Sequence, residues 1–200
     1  LILIFSDYIK PYDLNVITTI QSSSIYSDKF FSYLGNFITY FYSMRFHMSL
    51  TIFIYLAVDP GVAYKVAITA GMCTYVSFFL ETIIHDTRPY WISTDVKPVF
   101  CHITFGCPSV NVLSGLLYYN LLNFNISRAI KAKDPFLEKN VTALHIGSFI
   151  AKFYVLVNVL VGLQLICNGE HFIYQIAATF FMGFVLIRVL IAFNKEIDYH

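Results

Sequence analysis

Five long apolar runs separated by short polar connections limit what this chain can fold into more than any other feature. They cover roughly Phe30–Ala57, Val62–Ile84, Val110–Phe124, Val141–Ile166 and Phe172–Phe193. A helix needs about 20 apolar residues to cross roughly 30 Å of hydrocarbon, and in lipid it satisfies its own backbone polar groups. The pattern therefore predicts an all-α, polytopic integral membrane bundle of about five spans. Composition agrees: 58% of residues are hydrophobic, 12% are charged, and mean hydropathy is +0.66. The third run is short and is expected to borrow residues from its flanks. The first carries Arg45 and His47 in mid-segment, so it must face protein or water there. Residues 1–29, with Pro11 and Gln21-Ser22-Ser23-Ser24, read as a polar N-terminal segment holding at most an interfacial turn. Residues 30–193 read as the transmembrane domain, and 194–200 as a cytosolic tail or the start of further spans. The chain starts at Leu1 rather than Met, as a fragment would, and carries no cleavable signal pattern.

Loop charges set the orientation. Arg128, Lys131, Lys133 and Lys139 follow the third run, and Lys65 lies just past the Asp59-Pro60-Gly61 turn after the first. The positive-inside rule puts both connections in the cytosol. The N-terminus, the Asp86–Pro108 loop and the Asn168–His171 turn then share the opposite, lumenal side. Asn125-Ile126-Ser127 and Asn140-Val141-Thr142 fit the glycosylation pattern but fall on the cytosolic side, where they stay unmodified. Net charge is +1, which gives no bulk attraction to nucleic acid; the expected surroundings are the lipid bilayer. Cys73, Cys101, Cys107 and Cys167 lack CxxC spacing, so no metal site is implied. Cys101 and Cys107 share one loop and are either paired or two free thiols.

Three polar islands lie on the lumenal side: Arg88-Pro89-Tyr90-Trp91, then Pro108-Ser109-Val110-Asn111, then Glu170-His171-Phe172. In order, spacing and placement at helix mouths they resemble glucose-6-phosphatase, a branch of the type 2 phosphatidic acid phosphatase superfamily. Tyr90-Trp91, Tyr118-Tyr119 and Gln175 also match that branch. The family pattern is Lys-x6-Arg-Pro, then Pro-Ser-Gly-His, then Ser-Arg-x5-His. The resemblance implies hydrolysis of glucose 6-phosphate to glucose and phosphate at the lumenal face of the endoplasmic reticulum membrane, without a cofactor, through a phosphohistidine. It is the chemistry that ends gluconeogenesis.

Residue by residue, the resemblance makes Arg88 and Ser109 the phosphate-binding groups and His171 the nucleophile. Other positions depart from the pattern. Glu81 stands where the family has the first-motif Lys, Val110 replaces Gly, and Asn111 replaces the proton-donor His. Gln164 and Leu165 stand in the third-motif Ser and Arg positions. A phosphate monoester carries a charge of about −1.5 to −2 at neutral pH, and Arg suits it because its planar fork makes paired, charge-assisted bonds. Here the site charge falls from about +3 to about zero. Losing one such preorganised donor costs about 2.7–4 kcal/mol of barrier, and Asn111 delivers no proton near neutral pH. The sequence thus predicts a phosphatase homologue impaired in catalysis. The alternative is an inactive pseudoenzyme that binds a phosphorylated ligand, a sugar phosphate by resemblance, or a membrane partner. His85 and His102 are further histidines on the same side that stand as replacements for the missing acid. Plain readings run alongside: Glu81 as an ion-pair partner for Arg88 or His85, Ser109 as a helix cap, and Arg88 as an interfacial anchor.

Overall fold

A computed structural model describes residues 2–23, 29–57, 60–133 and 141–197. Leu1, residues 24–28, Val58 and Asp59 at the first turn, residues 134–140 with Lys139 of the basic loop, and the last three residues lie outside the described part. Eight helices occur among the described residues: α1 (Ile2–Ser22), α2 (Lys29–Tyr40), α3 (Met44–Ala57), α4 (Pro60–Ile84), α5 (Pro89–Ile92), α6 (Val110–Lys133), α7 (Val141–Cys167) and α8 (Ile173–Ile197). No strand occurs among them.

Helix α6 is the axis of the bundle, packed against α3, α4, α7 and α8. Residues 112–119 are buried without a break, as expected of a helix surrounded on all sides. Two glycines allow close approach. A Cβ at Gly115 would fall 2.0 Å from the Tyr42 ring, and one at Gly183 would fall 2.4 Å from Leu116. As the shortness of the third run implied, α6 runs on to Lys133.

Two expectations change. The first apolar run is not one helix, because it breaks at residues 41–43 between α2 and α3. Just past the break, His47 turns inward and stacks on Tyr118 at 4.3 Å, while Tyr118 Oη donates to the His47 carbonyl. Arg45, by contrast, is exposed. Residues 2–22 form a helix rather than a loose lead-in. Its polar residues face the rest of the bundle: Ser6 and Asp13 are buried, and Gln21 clamps two other segments. Its Nε2 donates to the carbonyls of Lys97 and Cys167, and its Oε1 accepts from the Lys97 N–H.

Two described stretches, Ala63–Ile92 and Ile173–Ala192, are long and apolar enough to cross a membrane, and Lys152–Cys167 is a shorter apolar helix. Two of the five expected spans therefore meet that measure in full. The asparagines of α6 and the break between α2 and α3 explain why others fall short. Lys65, Lys152 and Arg188 are exposed. At a rise of about 1.5 Å per residue they sit roughly 22–28 Å along their helices from the end that carries the polar islands. That length is close to the hydrocarbon thickness, and it sets these cations toward the ends of their helices opposite the islands.

Candidate active site

Local backbone signals deliver the three islands to one place. His85 adopts a left-handed conformation (φ 51°), which ends α4 and turns Asp86-Thr87-Arg88 back over the bundle. Gly169 (φ 70°) does the same for α7. The Gly169 N–H donates to the Ile166 carbonyl and the Glu170 N–H to the Leu165 carbonyl. This is a Schellman cap, and it sets Glu170 and His171 directly over Arg88. The second island enters through the loop before α6, with a cis peptide between Cys107 and Pro108.

Arg88 is the hub. It is 4% exposed. Its Nε donates to the Thr104 carbonyl at 2.7 Å and Nη2 to Thr104 Oγ1 at 3.1 Å. Nη1 donates to the Glu170 carbonyl at 3.1 Å and lies 3.3 Å from His171 Nε2. Glu81 Oε1 stands 3.9 Å from Nη2 and accepts no hydrogen bond. The ion-pair reading of Glu81 is therefore the observed one, and the interfacial-anchor reading of Arg88 does not fit so buried a side chain.

His171 is buried as well. Its Nδ1 lies 2.8 Å from the Gly106 carbonyl. A carbonyl only accepts, so Nδ1 carries the proton and Nε2 presents a lone pair beside Arg88. Burial, reinforced by the Arg88 cation, pulls the imidazole down to about 3. It is neutral at physiological pH, which is the state a nitrogen nucleophile needs.

Ser109 is fully buried. Its N–H donates to Thr179 Oγ1 at 2.9 Å, and its carbonyl starts α6 by accepting from the Leu113 N–H. The hydroxyl makes no hydrogen bond, so Ser109 holds the cap position without its side chain capping. A buried unpaired hydroxyl costs about 1–3 kcal/mol, a cost that a bound anion would relieve. Val110 and Asn111 open α6 and are half-buried. Leu165 offers the site no cation and no hydrogen-bonding side chain. It is 1% exposed and packs in the apolar core with Val161, Phe172 and Ile176. Cys101 and Cys107 are free thiols, the first exposed and the second buried.

Sequence reasoning missed a supporting layer. Asp86, 3% exposed, accepts from Tyr174 Oη at 2.6 Å and Gln175 Nε2 at 2.9 Å, and its other oxygen lies 3.3 Å from Lys10 Nζ. Its carbonyl accepts from the Gly106 N–H. Asp13 Oδ2 accepts from the Tyr174 N–H at the start of α8. These contacts join α1, the Arg88 loop, the Gly106 loop and α8, and they fix the carbonyl that orients His171. A carboxylate two residues before Arg88 was the available signal; its partners are 76 or more residues away.

The all-helical bundle, with Arg88 and His171 brought together at one end, has a PAP2-type membrane phosphatase fold. The chain belongs to the PAP2 superfamily, whose family model matches residues 60–198. Among solved structures, it is similar to the transmembrane PAP2-type phosphatidylglycerolphosphate phosphatase from Bacillus subtilis, with a TM-score of 0.74 at 18% identity. That match covers 98% of this chain and 93% of the other. No curated protein matches the sequence.

Proposed function

We propose that this PAP2 membrane protein is a glucose-6-phosphatase-like phosphomonoesterase working well below the rate of a complete family site. The observation that supports it most is the pairing of His171 with Arg88: a neutral imidazole, its Nδ1–H on the Gly106 carbonyl, presents Nε2 3.3 Å from a guanidinium. In this reading the phosphoryl group replaces His171 on Arg88 Nη1 and takes the unpaired Ser109 hydroxyl as a second donor. His171 Nε2 attacks phosphorus, the alcohol departs, and water then hydrolyses the phosphohistidine. The aromatic surroundings favour a sugar ester. Trp91 is exposed and meets Phe105 edge-on at 5.9 Å, and His85 packs on the same Phe105 at 4.5 Å. The proposed setting is the endoplasmic reticulum membrane with the site on the lumenal face. The exposed cations at the opposite ends of the helices support that orientation.

A second reading, a pseudophosphatase that binds a phosphorylated ligand, is favoured by Glu81, which already serves as counter-ion to Arg88. Membranes carrying the chain separate the two when supplied with glucose 6-phosphate or phosphatidylglycerol phosphate. Phosphate release together with an acid-labile phosphoryl label, both lost in His171→Ala, supports the enzyme. Tight phosphate binding with neither signal supports the pseudoenzyme. Preference for the lipid ester would overturn the sugar assignment.

A further inference from the structure

Asn111 leaves this site without the acid that protonates the leaving alcohol, and a different histidine is held in reach. We propose that His102 is that proton donor, an inference that rests on the phosphomonoesterase reading above. His102 is clamped from two of the three islands. Tyr90, two residues past Arg88, donates its hydroxyl to the His102 carbonyl and accepts from the His102 N–H, both at 2.8 Å. Glu170, directly before His171, places Oε2 3.2 Å from His102 Nε2. The Glu170 carboxyl is itself buried and fixed, with Oε1 accepting from Asn168 Nδ2 at 3.2 Å. Two residues further on, Thr104 holds Arg88 through its carbonyl and its hydroxyl. One short segment therefore carries both the proton donor and the arginine's ligands.

The geometry assigns the ring nitrogens. An ionised carboxylate only accepts, so Nε2–H of His102 donates to Glu170 and Nδ1 is the nitrogen left for substrate. The His102 side chain is 40% exposed while that of Glu170 is 3% exposed. The ring thus stands at the mouth with a buried carboxylate behind it, the arrangement that orients a catalytic histidine and stabilises its cation. Every atom is accounted for. The His171 Nε2 lone pair forms the N–P bond, and the ester P–O bond breaks toward oxygen. That oxygen takes the proton from Nδ1 of the His102 imidazolium and leaves as the alcohol. Water then attacks phosphorus while neutral His102 accepts its proton, and the N–P electron pair returns to His171.

The leaving group provides the test. Glucose 6-phosphate expels a strongly basic alkoxide and needs an acid, whereas p-nitrophenyl phosphate expels a weakly basic phenolate and does not. General acid assistance is worth about 10²–10⁴ in rate. His102→Gln in the full chain should therefore reduce turnover of the sugar ester at least about 30-fold more than turnover of the aryl ester. His102→Gly should regain sugar-ester turnover when imidazole is added. Equal losses with both esters and no rescue by imidazole, or no loss with either, would overturn the assignment. If the unsubstituted chain turns over neither ester, the phosphomonoesterase reading fails first and this assignment goes with it.

Discussion

Replacing Glu81 by glutamine isolates the charge that most distinguishes this site from a complete one. Glu81 Oε1 and Arg88 Nη2 are 3.9 Å apart and both side chains are buried. At an effective dielectric constant near 20, two unit charges at that separation attract by about 4 kcal/mol. An incoming phosphate must compete with that attraction and also meet the carboxylate's repulsion. Relaxation and residual solvation remove part of it, and a retained quarter to half is about 1–2 kcal/mol, or roughly 5- to 30-fold in affinity. Glu81→Gln should therefore bind inorganic phosphate about 5- to 30-fold more tightly than the parent, while Glu81→Asp should stay near the parent value. Without phosphate the variant leaves a buried guanidinium without its counter-ion, a loss of up to about 3–5 kcal/mol. Its thermal midpoint in detergent should fall, and phosphate should recover it more than in the parent. Thermal shift against phosphate concentration measures both effects. Equal or weaker phosphate binding by Glu81→Gln would refute the electrostatic account of this site.

Three further outcomes follow from other contacts. The His171 imidazole is held down at about 3 against an unfolded value of 6.5. Its proton is therefore taken up by the unfolded chain first, and stability present above about pH 6.5 is lost as pH falls toward 3; His171→Asn should show a shallower acid decline of the thermal midpoint. Gly169→Ala forces a side chain into a left-handed turn and puts its Cβ 2.5 Å from Val96 Cγ1. A loss of about 2 kcal/mol, read as a lower midpoint, should accompany reduced phosphate binding because the turn carries Glu170 and His171. Asp86→Asn removes the charge facing Lys10 and weakens or loses the one acceptor oxygen that Tyr174 and Gln175 share; it should cost about 3 kcal/mol and raise hydrogen exchange in α1 and at the start of α8.

Much of the helical layout was legible in the chain. The runs that became α4, α7 and α8 are apolar on every side, and lipid or protein can cover such a helix with equal ease. Their ends were therefore set by where polar residues resume. The placement of Arg88 and His171 at neighbouring helix mouths was legible too, through the motif order. Only the folded chain decided the rest, because the deciding contacts join residues far apart in sequence. Asp13 and Gln21 look like solvent-facing residues until α8 and the Lys97 segment supply their partners. Leu165 stands in a motif position by counting, but only the fold shows that its side chain is buried in the apolar core while its carbonyl accepts from the Glu170 N–H in the Schellman cap at Gly169. Hydropathy in a sequence tells which segments leave water, but burial leaves a polar group with few possible partners, and which of them it finds is a property of three dimensions.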